Sequence, residues 1–586
     1  MKKILLLEKK IDKLPAGYDL IFSFFPNADS QTPVDVIDIQ TYRELYSQTF
    51  EILMSRIDSQ AISTPSIFSY REVDLLQCFK KKLFNSCFDR LLRYQLLEKL
   101  VGTDESVFFE LGELPQATKE NLIFLIRNSR LDKKVAVSDS GSGIEPLKSQ
   151  AKRHFPRYEN YWPRHISFGC KKKSAVVVYS DFSKSAAILE KLKLESQAPV
   201  FYTDVQSPGV FLKCFKKSIG YCQKAFNSKQ KNKNNRVIEA LIDSARTTKI
   251  FQGETLSGLD MNVFFKFDLE NIFRKMLPKL LHDIDSMVLF FDQNRNVKAA
   301  LLDEDIAPSK NAFVQIAKKR KISSYVEVHA ALGEKTGFAP VTADYLFVWG
   351  EAHRERMVKW GCESDRIIVS GCSRYLAYQN QDAAISRSKI CRELNLCLEK
   401  PIVLVAFPPL SRSRFRFFEN SWVRYFQEAL SALSGFKNLQ IIFKFKARAN
   451  DEFRQIAEEW AAALPQDAVV RYVSELPSLE VINASDFVIT FGSTFAIEGL
   501  ALGKPVILLH ASQSPLFDEL ERFRPFLYAD GVEEIKEAIH KILAGAGTLD
   551  AAKRNDVFSY YLGNGAESPT DIIVYSMLKH ARVSNV

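Results

Sequence analysis

Apolar positions along this chain change period several times, and the changes mark its elements. Near the amino terminus, short apolar runs at 4–7, 19–24 and 34–39 read as strands, and helical spacing takes over across 42–56 and 73–100. A strand at 135–138 then runs into Asp139-Ser-Gly-Ser-Gly143. That turn has neither the Lys-Ser/Thr of a P-loop nor G-x-G-x-x-G spacing, so a plain turn is the reading preferred over a phosphate loop. At 174–180 the pattern starts afresh with a continuous apolar run, the mark of a strand covered on both faces of a parallel sheet. A helix to about 194 and a strand at 199–203 complete a first β-α-β unit, with Ser180, Asp181 and Ser183 at the strand's carboxyl end. As helix-capping residues these three are explained equally well.

The alternation continues. Helices are expected at 237–245, 269–284, 311–319 and 354–360, and strands at 287–291, 298–302, 324–328, 345–349 and 366–370. After a polar helical stretch at 381–400, a second series begins with a strand at 401–407, a helix at 422–433 and a strand at 440–445. It goes on with a helix at 452–464 and strands at 469–473, 487–490 and 506–509, and the chain ends in a helix at 568–581. Strands and helices in turn argue for α/β architecture with parallel, doubly wound sheets. The expected domains are a small α/β module over 1–170, a doubly wound domain over 171–390 and another over 395–586.

Ligands of doubly wound sheets sit beyond the carboxyl ends of the strands, so chemistry is sought there. The stretch Asp486-Phe-Val-Ile-Thr-Phe-Gly-Ser-Thr-Phe-Ala-Ile-Glu498 reads as strand, tight turn and helix. Backbone N–H groups of Gly492, Ser493 and Thr494 at the helix start form an anion cradle, and Glu498 one turn on is in reach of a ribose hydroxyl pair. The same unit also occurs in α/β proteins that bind no nucleotide. Arg412 and Arg414, in the Ser/Arg-rich loop after the strand at 401–407, can clamp phosphate; Lys444 and Lys446 share a strand face and can approach it too. A solvated loop and two solvated lysines are the alternative readings. His329 ends the strand at 324–328, where an imidazole can serve as general base. Asp303, Glu304 and Asp305 follow another strand and compete for that role or form a solvated turn; Glu327 is a weaker choice. One formal Asp-x-Asp match, Asp283-Ile-Asp285, falls at an expected helix end.

A family resemblance rests on these residues. Thr490-Phe-Gly-Ser-Thr-Phe-Ala-Ile-Glu498, followed by Leu502-Gly-Lys-Pro-Val506, resembles the nucleotide-binding segment in the C-terminal domain of GT-B glycosyltransferases. It is similar in spacing to that of UDP-GlcNAc 2-epimerases and CDP-glycerol glycerophosphotransferases. Tyr325-Val-Glu-Val-His329 resembles the strand ending in His-Gly of bacterial surface-polysaccharide transferases, with Ala330 in place of the usual glycine. Ala343-Asp-Tyr-Leu-Phe-Val-Trp-Gly-Glu351, Trp360-Gly-Cys362 and Arg366-Ile-Ile-Val-Ser-Gly-Cys-Ser-Arg374 resemble the closing part of their N-domain. The resemblance covers about 171–586 and leaves the first 170 residues outside. It implies two Rossmann-like domains (GT-B) after the small module, with the last helix packing back on the N-domain. It further implies donor phosphate at Lys444, Lys446, Ser493 and Thr494, ribose at Glu498, and no metal or other cofactor beyond the nucleotide-sugar substrate.

Composition narrows the reading a little further. Hydrophobic residues make up 46% and charged ones 26% of 586 residues, enough for several globular cores. A net charge of +10 is dispersed, and the two basic clusters, Lys171-Lys172-Lys173 and 229–236, read as solvated, the second as a mobile loop. Nucleic acid is therefore not an expected partner. Nine cysteines without a Cys-x-x-Cys pair suggest reduced thiols. The opening apolar run is only four residues long and no run approaches the ~20 needed to span a bilayer, so the expected location is cytoplasmic, compatible with the inner face of a membrane. The expected activity is metal-independent transfer of a sugar from a UDP- or CMP-linked donor to a hydroxyl of a glycan or lipid-linked acceptor. Three alternatives stay open: a UDP-GlcNAc 2-epimerase-like enzyme, a CDP-alditol phosphotransferase and a non-catalytic assembly scaffold. Histidine is missing between His353 and His510, which counts against the phosphotransferase.

Overall fold

The computed structural model describes residues 2–7, 20–23, 48–49, 53, 68–101, 106–111, 116–127, 131, 135–138, 174–180, 182–196, 200–203, 220–221, 228–247, 255–256, 259–330, 332, 335–372, 375, 382–406, 416–444, 458, 464, 468–491, 494–509, 527–545, 547, 550–563 and 567–580. Two compact units emerge, and each is discontinuous in sequence. Met1–Ser167, Tyr221–Arg295 and Ile306–Arg320 form one; Phe168–Gly220, Asn296–Asp305 and Lys321–Val586 form the other. The expected contiguous boundaries therefore miss two helical excursions that leave the second unit and join the first.

In the first unit, strands Lys2–Leu7, Leu20–Ser23, Val107–Leu111 and Val135–Ser138 form a parallel sheet in the order 2-1-3-4 along the chain. Helices Leu75–Val101, Ser228–Thr247, Met261–Gln293 and Pro308–Lys319 pack together, and the Phe273 ring of the third lies 5.8 Å from both Phe68 and Phe79. Two expectations fail here. The run 287–291 is not a strand but part of the 33-residue helix Met261–Gln293. Leu280, Leu281, Ile284, Met287, Val288 and Phe291 are all buried, which is a 3.6-residue period that a five-residue window cannot display. The basic cluster 229–236 is not a loop either. It opens the helix Ser228–Thr247, whose buried stripe Ile238, Leu241, Ile242 and Ala245 follows it, and Lys, Gln and Arg are good helix formers. Asp283 and Asp285 act as fasteners: Ser309 Oγ donates to Asp283 at 2.5 Å, and Tyr70 O–H and Arg71 Nε donate to Asp285 at 3.0 and 2.5 Å.

The second unit holds two sheets. Ala175–Tyr179, Val200–Thr203, Gly220–Tyr221, Val297–Leu302, Ser323–Glu327, Tyr345–Val348 and Ile367–Val369 form a seven-stranded sheet in the order 7-6-5-4-1-2-3. Ile402–Ala406, Gln440–Lys444, Val469–Val473, Phe487–Thr490, Val506–Leu509 and Leu527–Ala529 form a six-stranded one, all parallel, in the order 3-2-1-4-5-6. Residues of Ile402–Ala406 and Phe487–Thr490 are all 0% exposed, the double-sided burial that their unbroken apolar runs require. The α/β class with Rossmann-like parallel sheets is thus the observed one. Helices Val532–Leu543 and Ala551–Leu562, which the pattern of apolar positions did not single out, complete the second unit with Pro569–His580.

Residues 560–563 run against the strand ends of the seven-stranded sheet with backbone touching backbone. Cys372 N–H donates to Leu562 O at 3.2 Å, and Tyr560 O–H donates to Glu355 at 2.7 Å. The approach is possible because glycine lines it: a Cβ on Gly563 would stand 2.7 Å from Gly371 Cα and 2.9 Å from Trp349 O. Farther along, Lys191 pairs with Asp571 at 3.0 Å, tying the helix Pro569–His580 to Phe182–Ser196.

Gly563 has φ +98° in this crowded seam, whereas Gly361 has φ +92° with nothing within 4 Å of its Cβ position. Replacement by alanine is therefore expected to cost about 3 kcal/mol or more at Gly563 and only ~1–2 kcal/mol at Gly361. Urea unfolding of both variants checks this, and equal losses would remove the close-approach argument.

Candidate functional site

In a 3-2-1-4-5-6 sheet the chain reverses direction between its first and fourth strands, and the helices on either side leave a crevice at that point. Here those strands are Ile402–Ala406 and Phe487–Thr490, paired Ala406 to Thr490, with Thr490 Oγ1 donating to Ala406 O at 3.3 Å. The stretch singled out from the sequence leaves the sheet at this switch point. Phe491 is buried, Gly492 and Ser493 lie outside the described residues, and Thr494 opens the helix Thr494–Ala501. Gly499 lets that helix sit low on the sheet, since a Cβ there would stand 2.9 Å from Val506 Cγ2. Gly503, at φ +72°, then ends it: the Gly503 and Lys504 N–H groups donate to Leu500 O and Gly499 O, both at 2.9 Å. Pro505 cannot donate to a ladder and fits the approach to the next strand, where its carbonyl accepts from Val488 N–H at 3.0 Å.

Glu498 projects from the buried face of this helix, among Ala496, Ile497 and Leu500. Its Oε1 accepts a hydrogen bond from Tyr375 O–H at 2.7 Å. Lys444 ends the neighbouring strand Gln440–Lys444, paired with Ala406. The Lys444 ammonium is buried and donates to Ser474 O at 2.6 Å, and burial lowers its pKa. Lys444 thereby holds the loop after Val469–Val473. Arg412 and Lys446 lie outside the described residues. The structure thus gathers Lys444, Thr494 and Glu498 at the carboxyl edge of the six-stranded sheet.

A second group stands at the carboxyl edge of the seven-stranded sheet. Its switch point lies between Ala175–Tyr179 and Val297–Leu302, so Ser180 and Asp303 flank it, both buried. Asp181 lies outside the described residues, and Ser183 sits in the helix Phe182–Ser196. His329, half-buried, follows the adjacent strand, and its Nδ1 is 2.7 Å from Asp303 O. A carbonyl only accepts, so Nδ1 carries the proton, and the basic lone pair of the neutral ring is on Nε2. Asp303 therefore contributes its backbone carbonyl to His329. Asp305 is no free base: its Oδ2 accepts from the backbone N–H groups of Thr342 and Ala343 at 2.5 and 2.8 Å. Burial pushes its pKa up to about 6, against the opposing pull of those two donors. It fastens the loop 341–343, a role that the sequence, seeing only three carboxylates after a strand, could not separate from catalysis.

Trp349 and Arg356 hold the segment around His329 in place. Trp349 Nε1–H donates to Val328 O at 2.6 Å, and the buried Arg356 guanidinium donates to Leu332 O. The Trp349 indole also receives the Tyr375 ring edge-on, with centroids 5.3 Å apart and planes at 83°. A continuous series of contacts thus runs from Glu498 through Tyr375 and Trp349 to Val328, next to His329. Sequence reading missed Tyr375, which stands one residue beyond the quoted segment 366–374, and saw Trp349 only as a strand end. A buried aromatic whose hydrogen-bond partner lies 123 residues away leaves no periodic signal.

Residues 338–574 match the family model of UDP-N-acetylglucosamine 2-epimerase. The match includes the switch-point segment and Tyr375, and it begins after His329. No curated protein matches the chain. Similar solved structures include a glycosyltransferase from Rickettsia africae, at 14% identity and TM-score 0.45 over 70% of this chain and 100% of that one. A UDP-GlcNAc 2-epimerase from Neisseria meningitidis bound to UDP-GlcNAc aligns at 12% identity and TM-score 0.42 over 69% and 100%. An Anabaena protein in complex with UDP-glucose aligns at 11% and 0.43 over 69% and 99%. Among the described residues no helix is long and apolar enough to cross a membrane.

The environment of Asp305 sets a pH signature. Its pKa is about 6 folded against an ordinary 3.8, so its contribution to stability is fully present below the lower value and is lost as pH rises through the upper one. Asp305→Asn cannot titrate. The melting temperature of the wild type relative to this variant should therefore rise as pH falls from about 7 to about 5; a difference that does not change with pH would refute the assignment.

Proposed function

We propose that this chain is a nucleotide-sugar enzyme that transfers a sugar from a nucleotide donor to a hydroxyl. The observation carrying the reading is the switch point of the six-stranded sheet, where a helix start, Thr494, and a buried carboxylate, Glu498, stand together. A helix start favours diphosphate, because its N–H groups point outward without partners, and a carboxylate favours a vicinal diol. The likeness of 338–574 to UDP-N-acetylglucosamine 2-epimerase supports a nucleotide-sugar ligand for this half.

In this reading Glu498 holds ribose, and the backbone at Gly492, Ser493 and Thr494 holds the diphosphate with Arg412, Lys444 and Lys446. His329 acts as base through Nε2, with Nδ1–H anchored on Asp303 O. It takes the proton of the attacking hydroxyl while the diphosphate leaves with the sugar's bonding electrons. Positive groups and N–H dipoles neutralise the departing charge, so turnover is expected to persist in a chelator. The acceptor is a glycan or lipid-linked glycan, and the site of action is the cytoplasm or the inner face of a membrane.

The family match favours a second reading, an epimerase acting on the nucleotide-sugar itself. Incubation with UDP-GlcNAc in deuterated water separates the two. Deuterium entering the sugar without acceptor identifies the epimerase; UDP release that depends on a glycan acceptor identifies the transferase. Glu498→Ala is expected to weaken UDP binding by ~10-fold or more with an unchanged circular dichroism spectrum. His329→Ala is expected to lower turnover by ~100-fold or more. Wild-type UDP affinity in the first variant would dismiss the site, and near-normal turnover in the second would dismiss His329.

A further inference from the structure

Tyr375 belongs to neither sheet, yet it joins the two candidate groups. Its ring is buried edge-on against Trp349, and its N–H donates to Cys372 O at 2.9 Å, one residue after the glycine seam. Cys372 in turn is bound to Leu562 O at 3.2 Å. A phenol held at both ring and backbone presents its O–H in one direction only, and that direction is Oε1 of Glu498, at 2.7 Å.

Glu498 needs such a guide. It is 7% exposed on a helix whose neighbouring side chains are apolar, and a Glu side chain has three rotatable bonds. A charge-assisted hydrogen bond from a fixed donor selects one rotamer. A carboxylate has about four lone-pair sites, so it accepts from Tyr375 and from two vicinal hydroxyls together.

We propose that Tyr375 is the positioning residue that orients Glu498 for a ribose diol, and so sets the preference of the site for ribonucleotides over nucleotides lacking the 2′ and 3′ hydroxyls. The proposal rests on the reading of Glu498 as a ribose ligand. Because Tyr375 leans on Trp349, and Trp349 holds Val328 beside His329, nucleotide recognition and the placement of the base share one set of contacts.

The test uses the full chain, UDP and 2′,3′-dideoxy-UDP, with affinities from calorimetry. The wild type is expected to prefer UDP by ~10-fold or more, as hydrogen bonds to a charged group imply. Tyr375→Phe keeps the ring and removes only the hydroxyl; the preference should fall to about 3-fold or less through weaker UDP binding, with dideoxy-UDP affinity unchanged. Glu498→Gln should lose the preference too, and the double variant should lose nothing more, because both changes act on one interaction. A full preference retained in Tyr375→Phe overturns the proposal, as does equal weakening of both ligands, which marks a purely structural role. If Tyr375→Phe does not fold, the calorimetry of Glu498→Gln and of the milder Trp349→Phe, which shifts the seat of the Tyr375 ring, decides. Preference lost in both supports the proposal, and preference lost only in Glu498→Gln overturns it. Preference absent in the wild type, or intact in Glu498→Gln, removes the ribose reading itself and the proposal with it.

Discussion

Three glycines let two stretches of backbone touch, and much of the second unit depends on that contact. Gly350 lies against the backbone of Tyr560 and Tyr561, and Gly563 against Gly371, where the chain between the last helices meets the strand ends of the seven-stranded sheet, too near for a Cβ. Because the gap is closed by backbone, the carbonyls of Trp349 and Leu562 and the N–H of Cys372 are fixed rather than cushioned by side chains. Trp349 and Tyr375 lie immediately beside this seam, so their rings inherit its rigidity. Rigid aromatics suit the proposed site, which draws on both sheets, since a displacement of about 1 Å is enough to disable a catalytic arrangement.

Carboxylates follow a consistent use, whether buried, as Asp305 and Asp268 are, or half-buried, as Asp344 and Asp486 are. Asp305 fastens 341–343 to the sheet, and Asp344 fastens Ser324 through its backbone and hydroxyl at 2.9 and 2.7 Å. Asp486 takes Ile402 N–H at 2.6 Å and Arg387 at 2.9 Å, while Arg387 also donates to Ala484, Leu398 and Lys400 carbonyls. In the first unit, Asp268 takes Arg90 at 3.0 Å and Ser86 at 2.6 Å. Each ties a strand, loop or helix to its neighbour, and at the buried Asp305 and Asp268 those hydrogen bonds would be costly to leave unmade. Against that background Glu498 stands out, because Tyr375 reaches it from the other half of the unit.

Parallel strands and their order along the chain were largely legible, because unbroken apolar runs such as Ala175–Tyr179 and Ile402–Ala406 suit a strand covered on both faces and little else of that length. Period failed where a window was too short: 287–291 is as apolar as a strand, and only its continuity with Leu280 through Ile284 identifies a helix. At the site, Thr494 and Lys444 could be proposed because they occupy ends of elements, and Glu498 because it stands one helical turn beyond the helix start. For Asp305 the sequence left a base and a solvated turn open, because a carboxylate's partners, here two backbone N–H groups distant in sequence, are invisible in one dimension.

By itself the sequence determined the α/β class, the positions of most strands, and a strand-turn-helix segment with a carboxylate one turn beyond the turn. These are consequences of local periodicity and local turn chemistry, which act over a few residues. Only the tertiary structure decided that this segment stands at a switch point, that His329 carries its proton on Nδ1, and that Tyr375 meets Glu498. Strand order, a ring nitrogen's partner and a hydrogen bond spanning 123 residues all depend on which distant parts of the chain come together, and burial sets that only once the whole unit has packed.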